Sequence, residues 1–151
     1  MTDYVIDENV VLNAIHGKKA SNSESKNADT EKIFLYRFFS NSDKQFMNLK
    51  IQQKFFALPK KVAQKYKNEI LDNHIILRFL GVMNDPLKTS IVDGVSNTFK
   101  GVKKCDTEFV GVTLQSNATL VTADGKLKTA IQEDSFVSKC KCSTVEEILE
   151  T

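Results

Sequence analysis

Apolar residues along this chain alternate between short strand-like runs and longer stretches with helical spacing. Four short apolar runs predict strands: 3–6 (DYVI), 54–58 (KFFAL), 118–122 (ATLVT) and 136–137 (FV). Apolar positions three and four residues apart predict helices over 9–15, from about 30 onward, and over 60–71, 106–115, 126–131 and 143–150. This alternation predicts an α/β fold in which helices flank a central, mostly parallel sheet.

Polar segments and capping residues mark some of the element boundaries. The segment 18–29 (KKASNSESKNAD) has no aliphatic residue larger than Ala, so we predict a flexible polar loop there within a single domain, 1–151. Pro59 suits the first turn of the helix over 60–71. Ser143 and Glu146 have the spacing of a capping box, which predicts where the last helix begins. Residues 41–53 fit a helix or a strand equally well.

Composition narrows the class of protein. The 151 residues are 41% hydrophobic and 26% charged with a net charge of +2, as expected for one globular domain without a strong electrostatic field. No apolar stretch approaches the roughly 18 residues of a membrane span, and the N-terminus lacks the pattern of a signal peptide. An odd number of cysteines, at 105, 140 and 142, predicts reduced thiols and a cytoplasmic location.

Three aspartates are predicted to meet at one edge of the sheet. Asp7 follows the first strand, Asp124 follows the strand over 118–122, and Asp106 opens the helix that leads into that strand. Ten helical residues at ~1.5 Å and five strand residues at ~3.3 Å both span about 15 Å, so the helix start and the strand end lie at one level. Parallel sheets bind their ligands at this carboxyl edge.

Each acid also has a purely structural interpretation. Asp7 and Asp106 suit helix caps, and Asp124 with Gly125 suits a turn. Three carboxylates at one edge, however, repel one another unless a cation neutralises them. An all-oxygen site is typical of Mg²⁺ or Mn²⁺, which can activate water and stabilise an in-line phosphoryl displacement.

Two segments carry a resemblance to a known family. VIDENVVLNAI (5–15) resembles the opening of PIN-domain proteins, and CDTEFVGVTLQSNATLVTADGKL (105–127) is similar to their second signature. The resemblance implies a metal-dependent endoribonuclease in which Asp7, Asp106 and Asp124 are catalytic and bind Mg²⁺ or Mn²⁺. It implies a supporting hydrogen bond from Asn9 or Thr122. It also implies RNA as substrate and, for a toxin of the VapC type, an antitoxin partner and a homodimer.

One position departs from the family pattern. PIN nucleases usually carry a Glu on the helix after the second strand, often before a Tyr, and here Lys65 precedes Tyr66. Glu69 lies one turn later and is a candidate substitute, while Glu8 replaces the Ser or Thr common after the first Asp. A lysine beside the acids would weaken metal binding, and Lys65→Glu is expected to strengthen it. The alternative function is therefore a catalytically degenerate PIN-like module that binds RNA or protein.

Overall fold

A computed structural model describes residues 1–16, 29–67, 71–93, 102–133 and 139–150. Within them five strands form one all-parallel sheet: β1 (Asp3–Ile6), β2 (Lys44–Met47), β3 (Thr89–Ile91), β4 (Thr119–Thr122) and β5 (Lys141–Thr144). The predicted α/β class with a parallel sheet flanked by helices is confirmed. The predicted loop at 18–29 (all but its last residue), the strand at 136–137 and Glu69 lie outside the described residues.

The strands are arranged in the order β3-β2-β1-β4-β5. The chain therefore builds outward from β1 in one direction through β2 and β3, and then in the other direction through β4 and β5. β1 pairs with β4 in the register Ile6 to Val121, and both of these side chains are buried. The carboxyl ends of β1 and β4 thus flank the topological switch point, which is where open parallel sheets bind their ligands.

Helices cover the sheet and supply the rest of the core. In chain order they are α1 (Glu8–His16), α2 (Asp29–Ser40), α3 (Leu49–Phe56), α4 (Leu58–Lys65), α5 (Asn73–Met83), α6 (Thr107–Ser116), α7 (Gly125–Glu133) and α8 (Val145–Leu149). A one-turn 3-10 helix, Lys104–Asp106, precedes α6. Phe55 of α3 contacts Phe79 of α5 and Phe109 of α6, with ring centroids 4.8 and 6.4 Å apart. No helix among the described segments is long and apolar enough to cross a membrane.

The prediction of a strand over 54–58 was wrong, because these residues span the end of α3 and the start of α4. Asn48 caps α3 by accepting a hydrogen bond from the Ile51 N–H at 2.8 Å. The buried side chains Ile51, Phe55, Leu58 and Val62 then recur at helical spacing through both helices. The helix that follows the second strand is therefore α3. The Glu that PIN nucleases carry on that helix would correspond to a residue of α3 and not to Lys65.

Two further boundaries differ from the predictions. The capping box of α8 consists of Thr144 and Glu147, one residue later than the predicted Ser143 and Glu146. The cause is strand pairing: β5 stays in register with β4 through Thr144, so the helix cannot begin earlier. Pro59 lies in the first turn of α4 as predicted, although α4 ends at Lys65 rather than at residue 71.

Candidate active site

The carboxyl ends of β1 and β4 are joined by side-chain hydrogen bonds at the switch point. Asp7 is the first residue after β1 and only 3% of its surface is exposed. Its backbone N–H donates to the Val121 carbonyl at 3.0 Å, and its Oδ2 accepts a hydrogen bond from the Thr122 hydroxyl at 2.9 Å. Asn9 completes the link, since its Oδ1 accepts from the Ala123 N–H at 3.1 Å. The Asp7 carboxylate is therefore held in a fixed position.

Thr122 connects two of the predicted site residues through one oxygen. Its Oγ1 donates to Asp7 and accepts from the Asp124 N–H at 2.9 Å and from the Asn9 side-chain amide at 3.4 Å. Asp124 also has the predicted structural role, because its Oδ1 accepts from the Lys126 N–H at 2.9 Å. The resemblance implied a supporting hydrogen bond from either Asn9 or Thr122, and both residues make such bonds.

Asp106 is the residue for which the capping interpretation fails. It occupies the N-cap position of α6, but its side chain makes no capping hydrogen bond. Its carboxylate instead lies within electrostatic range of the other two acids, since the charge on Asp124 raises the pKa of Asp106 and the charge on Asp106 raises the pKa of Asp7. Asp106 is therefore the electrostatic link between the two strand ends.

Burial and like charge both destabilise the ionised carboxylates. Burial is the main cause that raises the pKa of Asp7 to about 7, with Asp106 adding to it and the Thr122 hydrogen bond opposing it. Burial also raises the pKa of Asp106, and the charge on Asp124 adds to that shift. A cation near Asp106 would relieve this repulsion, so the donor chemistry fits a hard divalent ion.

The geometry limits how such an ion would be held. Among the described residues, no three His, Cys, Asp or Glu side chains are close enough to hold a metal ion together. Asp7, Asp106 and Asp124 share one edge, but they do not form the group of carboxylates within a few ångströms that we expected. Mg²⁺ commonly binds proteins through one or two carboxylates and keeps its remaining ligands as water, which these acids can accommodate.

Two lysines that the sequence analysis did not identify, Lys103 and Lys54, lie within electrostatic range of Asp106. Lys54 also contacts the chain beside it. Its Nζ donates to the Cys105 carbonyl at 3.2 Å, and its positive charge, together with that of Lys103, acts to lower the pKa of Asp106. Lys54 lies on α3, the helix that follows the second strand. If residues 48–55 had been predicted as a capped helix, Lys54 would have been placed on the helix after the second strand.

Lys65 has different surroundings from those we predicted. Its Nζ lies 5.4 Å from the centroid of the Tyr66 ring, which stacks on His16 at a centroid distance of 4.0 Å. His16 is the last residue of α1, whereas Asp7 precedes the first, so this cluster is at the opposite end of the helix. The lysine of α4 that reaches the acidic end is Lys61, which pairs with Glu8.

The thiols at the start of β5 are in their protonated form near neutral pH. Burial raises the pKa of Cys140 to about 11 and that of Cys142 to about 12. Because metal ions and electrophiles react with thiolates rather than thiols, these two cysteines are poor ligands and nucleophiles. Both are free thiols, as the sequence analysis predicted.

Comparison of the chain with protein-family models, curated proteins and solved structures gives no match. The PIN-domain resemblance therefore stays a prediction that rests on two motifs and on the arrangement of their residues.

Proposed function

We propose that this protein is a metal-dependent endoribonuclease of the PIN-domain type that uses Mg²⁺ or Mn²⁺. The main support is the placement of Asp106, whose charge interacts with those of two other carboxylates at the switch point and whose side chain does not cap its own helix. Stability alone does not explain this arrangement, because like charges at a partly buried edge oppose folding. A site that recruits a cation does explain it.

The proposed roles follow from these contacts. One or two of Asp7, Asp106 and Asp124 would bind the ion directly and the rest through its water ligands; when bound, the ion would supply a Lewis acid and an activated water for phosphoryl displacement. Thr122 and Asn9 hold the Asp7 carboxylate and the chain before Asp124 in place. Ordering these groups before the substrate arrives reduces the reorganisation required during the reaction.

Lysines around the acids give the RNA backbone a place to bind. Lys54 and Lys103 place positive charge close enough to Asp106 to influence its pKa. Phosphate oxygens bind lysine side chains without reading the base sequence, so these residues would position the strand over the carboxylates.

A second candidate function is a degenerate PIN-like module that binds RNA or protein without cleaving it. Two observations favour it: Lys54 stands beside Asp106, and the described residues contain no three-ligand metal group. A lysine there offsets part of the negative charge that a metal ion would otherwise neutralise.

An RNA cleavage assay with a matched pair of variants separates the two functions. We expect the protein to cleave a labelled single-stranded RNA with Mn²⁺ and to lose activity in chelator. Asp106→Asn should reduce the rate by about 10²-fold or more, because it removes charge while keeping shape. Asp3→Asn is the control, since Asp3 is exposed at the opposite end of β1.

The outcomes of this assay are distinct. Cleavage that continues unchanged in chelator would refute the metal mechanism. RNA binding without cleavage at any metal concentration would favour the degenerate module.

The resemblance also extends the proposal to the cellular role. We propose a cytoplasmic toxin that acts as a homodimer and is silenced by an antitoxin protein. The three cysteines are free thiols, which fits a reducing compartment. Light scattering of the purified protein measures the dimer directly, and a monomer at micromolar concentration would remove this part of the proposal.

A further inference from the structure

A cavity of about 210 Å³ lies next to the aspartates at the same edge of the sheet. It opens at the carboxyl ends of β2 and β3, and its lining includes Asn48, Leu49, Lys50, Ile91, Asp93 and Glu108. Asn48 follows β2 directly, and Glu108 lies in the first turn of α6, two residues after Asp106. The cavity and the aspartates are therefore linked through the first turn of α6.

Glu108 is the buried polar group of this cavity, and 9% of its surface is exposed. Its Oε2 accepts a hydrogen bond from the Asn48 Nδ2 at 2.6 Å. Asn48 cannot turn away, because its Oδ1 accepts from the Ile51 N–H as the cap of α3. The carboxylate is thus held in one orientation by a side chain that is itself held in place.

Both oxygens of Glu108 retain a lone pair that a ligand can use, because each accepts one hydrogen bond within the protein. Its Oε1 is 3.4 Å from the Nζ of Lys50, whose side chain is 67% exposed. An ion pair this long and this exposed contributes little and is readily exchanged. An ionised carboxylate accepts up to about four hydrogen bonds and donates none, so the polar side of the cavity selects a ligand that presents donors.

The remaining lining suits a flat, partly apolar ligand. Leu49 and Ile91 line the cavity and expose 63% and 44% of their surfaces, so they offer apolar contact area to a ligand. Such side chains pack against the faces of a ring. Lys50 and Lys54 lie one helical turn apart on α3, about 6 Å along its axis, and lead from the cavity to Asp106.

We propose that this cavity is a nucleobase subsite that selects guanine, an inference that rests on the proposed ribonuclease function. Guanine presents two adjacent donors, N1–H and N2–H, on its Watson–Crick edge, and these match the two oxygens of the Glu108 carboxylate. Adenine and cytosine place an acceptor beside their amino group, and uracil places its one donor between two acceptors. An acceptor facing the carboxylate leaves a buried polar group unpaired, which penalises the other three bases.

Nucleotide titrations of the protein in the presence of a chelator test the subsite without requiring catalysis. We expect guanosine 5′-monophosphate to bind about tenfold or more tightly than the adenosine, cytidine and uridine monophosphates, in NMR titrations of ¹⁵N-labelled protein. The shifted amide signals should centre on Asn48, Ile91 and Glu108. Glu108→Gln should abolish the preference for guanine, because it replaces one acceptor oxygen with a donor. Glu133→Gln is the matched control, since Glu133 is exposed at the end of α7.

A second variant tests the subsite while leaving the buried Glu108 and Asn48 unchanged. Ile91→Arg places a guanidinium at the rim, where it can occupy Glu108, and should also abolish the preference for guanine. Ile33→Arg is its control, because Ile33 on α2 is 43% exposed against 44% for Ile91 and does not line the cavity. Equal binding of all four nucleotides, or a preference that survives in both cavity variants, would overturn the proposal.

The test also separates this inference from the proposed function. Selective guanine binding by a protein that never cleaves RNA would support the subsite and reject the nuclease. Metal-dependent cleavage without base preference, in a protein that binds the four nucleotides equally, would support the nuclease and reject the subsite.

Discussion

The two halves of the carboxyl edge hold their buried acids in different ways. On the β1–β4 side, Asp7 accepts a hydrogen bond from the neutral Thr122 hydroxyl and faces the negative charge of Asp106. On the β2–β3 side, Glu108 accepts from the Asn48 amide and from the cationic Lys50. The first half has three carboxylates and the charges of Lys54 and Lys103 near Asp106, whereas in the second half the buried Glu108 has a direct ion-pair partner in Lys50. This difference is the basis for proposing a metal ion at the first half and a hydrogen-bonding ligand at the second.

Asn48→Ala should cause the largest loss of stability, because Asn48 supports both α3 and Glu108 in the β2–β3 half. The change removes the cap of α3 and leaves the buried Glu108 without its amide donor. We expect a loss of about 3 kcal/mol in the free energy of unfolding, measured by urea denaturation. Asn48→Asp should retain the cap but repel Glu108. A loss below about 1 kcal/mol in both variants would mean that Glu108 does not depend on Asn48.

Asp7→Asn should stabilise the metal-free protein at high pH. The pKa of Asp7 rises from an ordinary 3.8 to about 7 in the folded state, so between these values the folded state binds a proton that the unfolded state does not. Stability contributed by Asp7 therefore falls as pH rises from about 4 to 7. We expect Asp7→Asn to gain on the order of 2–4 kcal/mol at pH 8 and almost nothing at pH 4.

Thermal or urea unfolding of both proteins in chelator, across that pH range, measures this difference. Saturating Mn²⁺ should stabilise the unmodified protein at pH 8 more than the variant. A gain that is equal at pH 4 and pH 8 would show that the charge of Asp7 is not the cause.

Lys54→Glu should have a smaller effect and sharpen the comparison by removing one of the two lysine charges near Asp106. The change removes a positive charge and adds an oxygen ligand, so we expect Mn²⁺ to bind about tenfold more tightly by calorimetry, or about 1.4 kcal/mol. Lys65→Glu, which makes the same substitution beside Tyr66 at the other end of α1, is the control and should leave the affinity unchanged. Equal effects in both variants would show that Lys54 has no special position.

Local patterns were sufficient to predict the β1–β4 half. The apolar run ending at Asp7 gave β1 its observed bounds, and helix and strand lengths were enough to bring Asp106 and Asp124 to the same edge. These inferences need only the period of each element and the rule that parallel strands end together. They say nothing of distances, and the three carboxylates do not form the three-ligand group that was expected.

The β2–β3 half depends on contacts that are distant in sequence. Glu108 meets Asn48 and Lys50 across 60 and 58 positions, and no local pattern links them. The run KFFAL has strand-like composition, but the cap at Asn48 and the packing of Phe55 on α5 and α6 favour a helix. Misassigning this run as a strand moved the expected lysine from Lys54 to Lys65. The start of α8 likewise depends on pairing between β4 and β5.

The Thr122 hydroxyl has a single proton, and its direction is fixed by what surrounds it. While Asp7 is ionised, that proton points to Asp7, and the oxygen lone pairs face the Asp124 N–H and the Asn9 amide. When Asp7 gains a proton or a bound cation, this donation weakens, and the hydrogen bond accepted from the Asp124 N–H changes with it. The NMR chemical shift of the Asp124 amide should therefore report the charge state of Asp7. It can be measured without RNA.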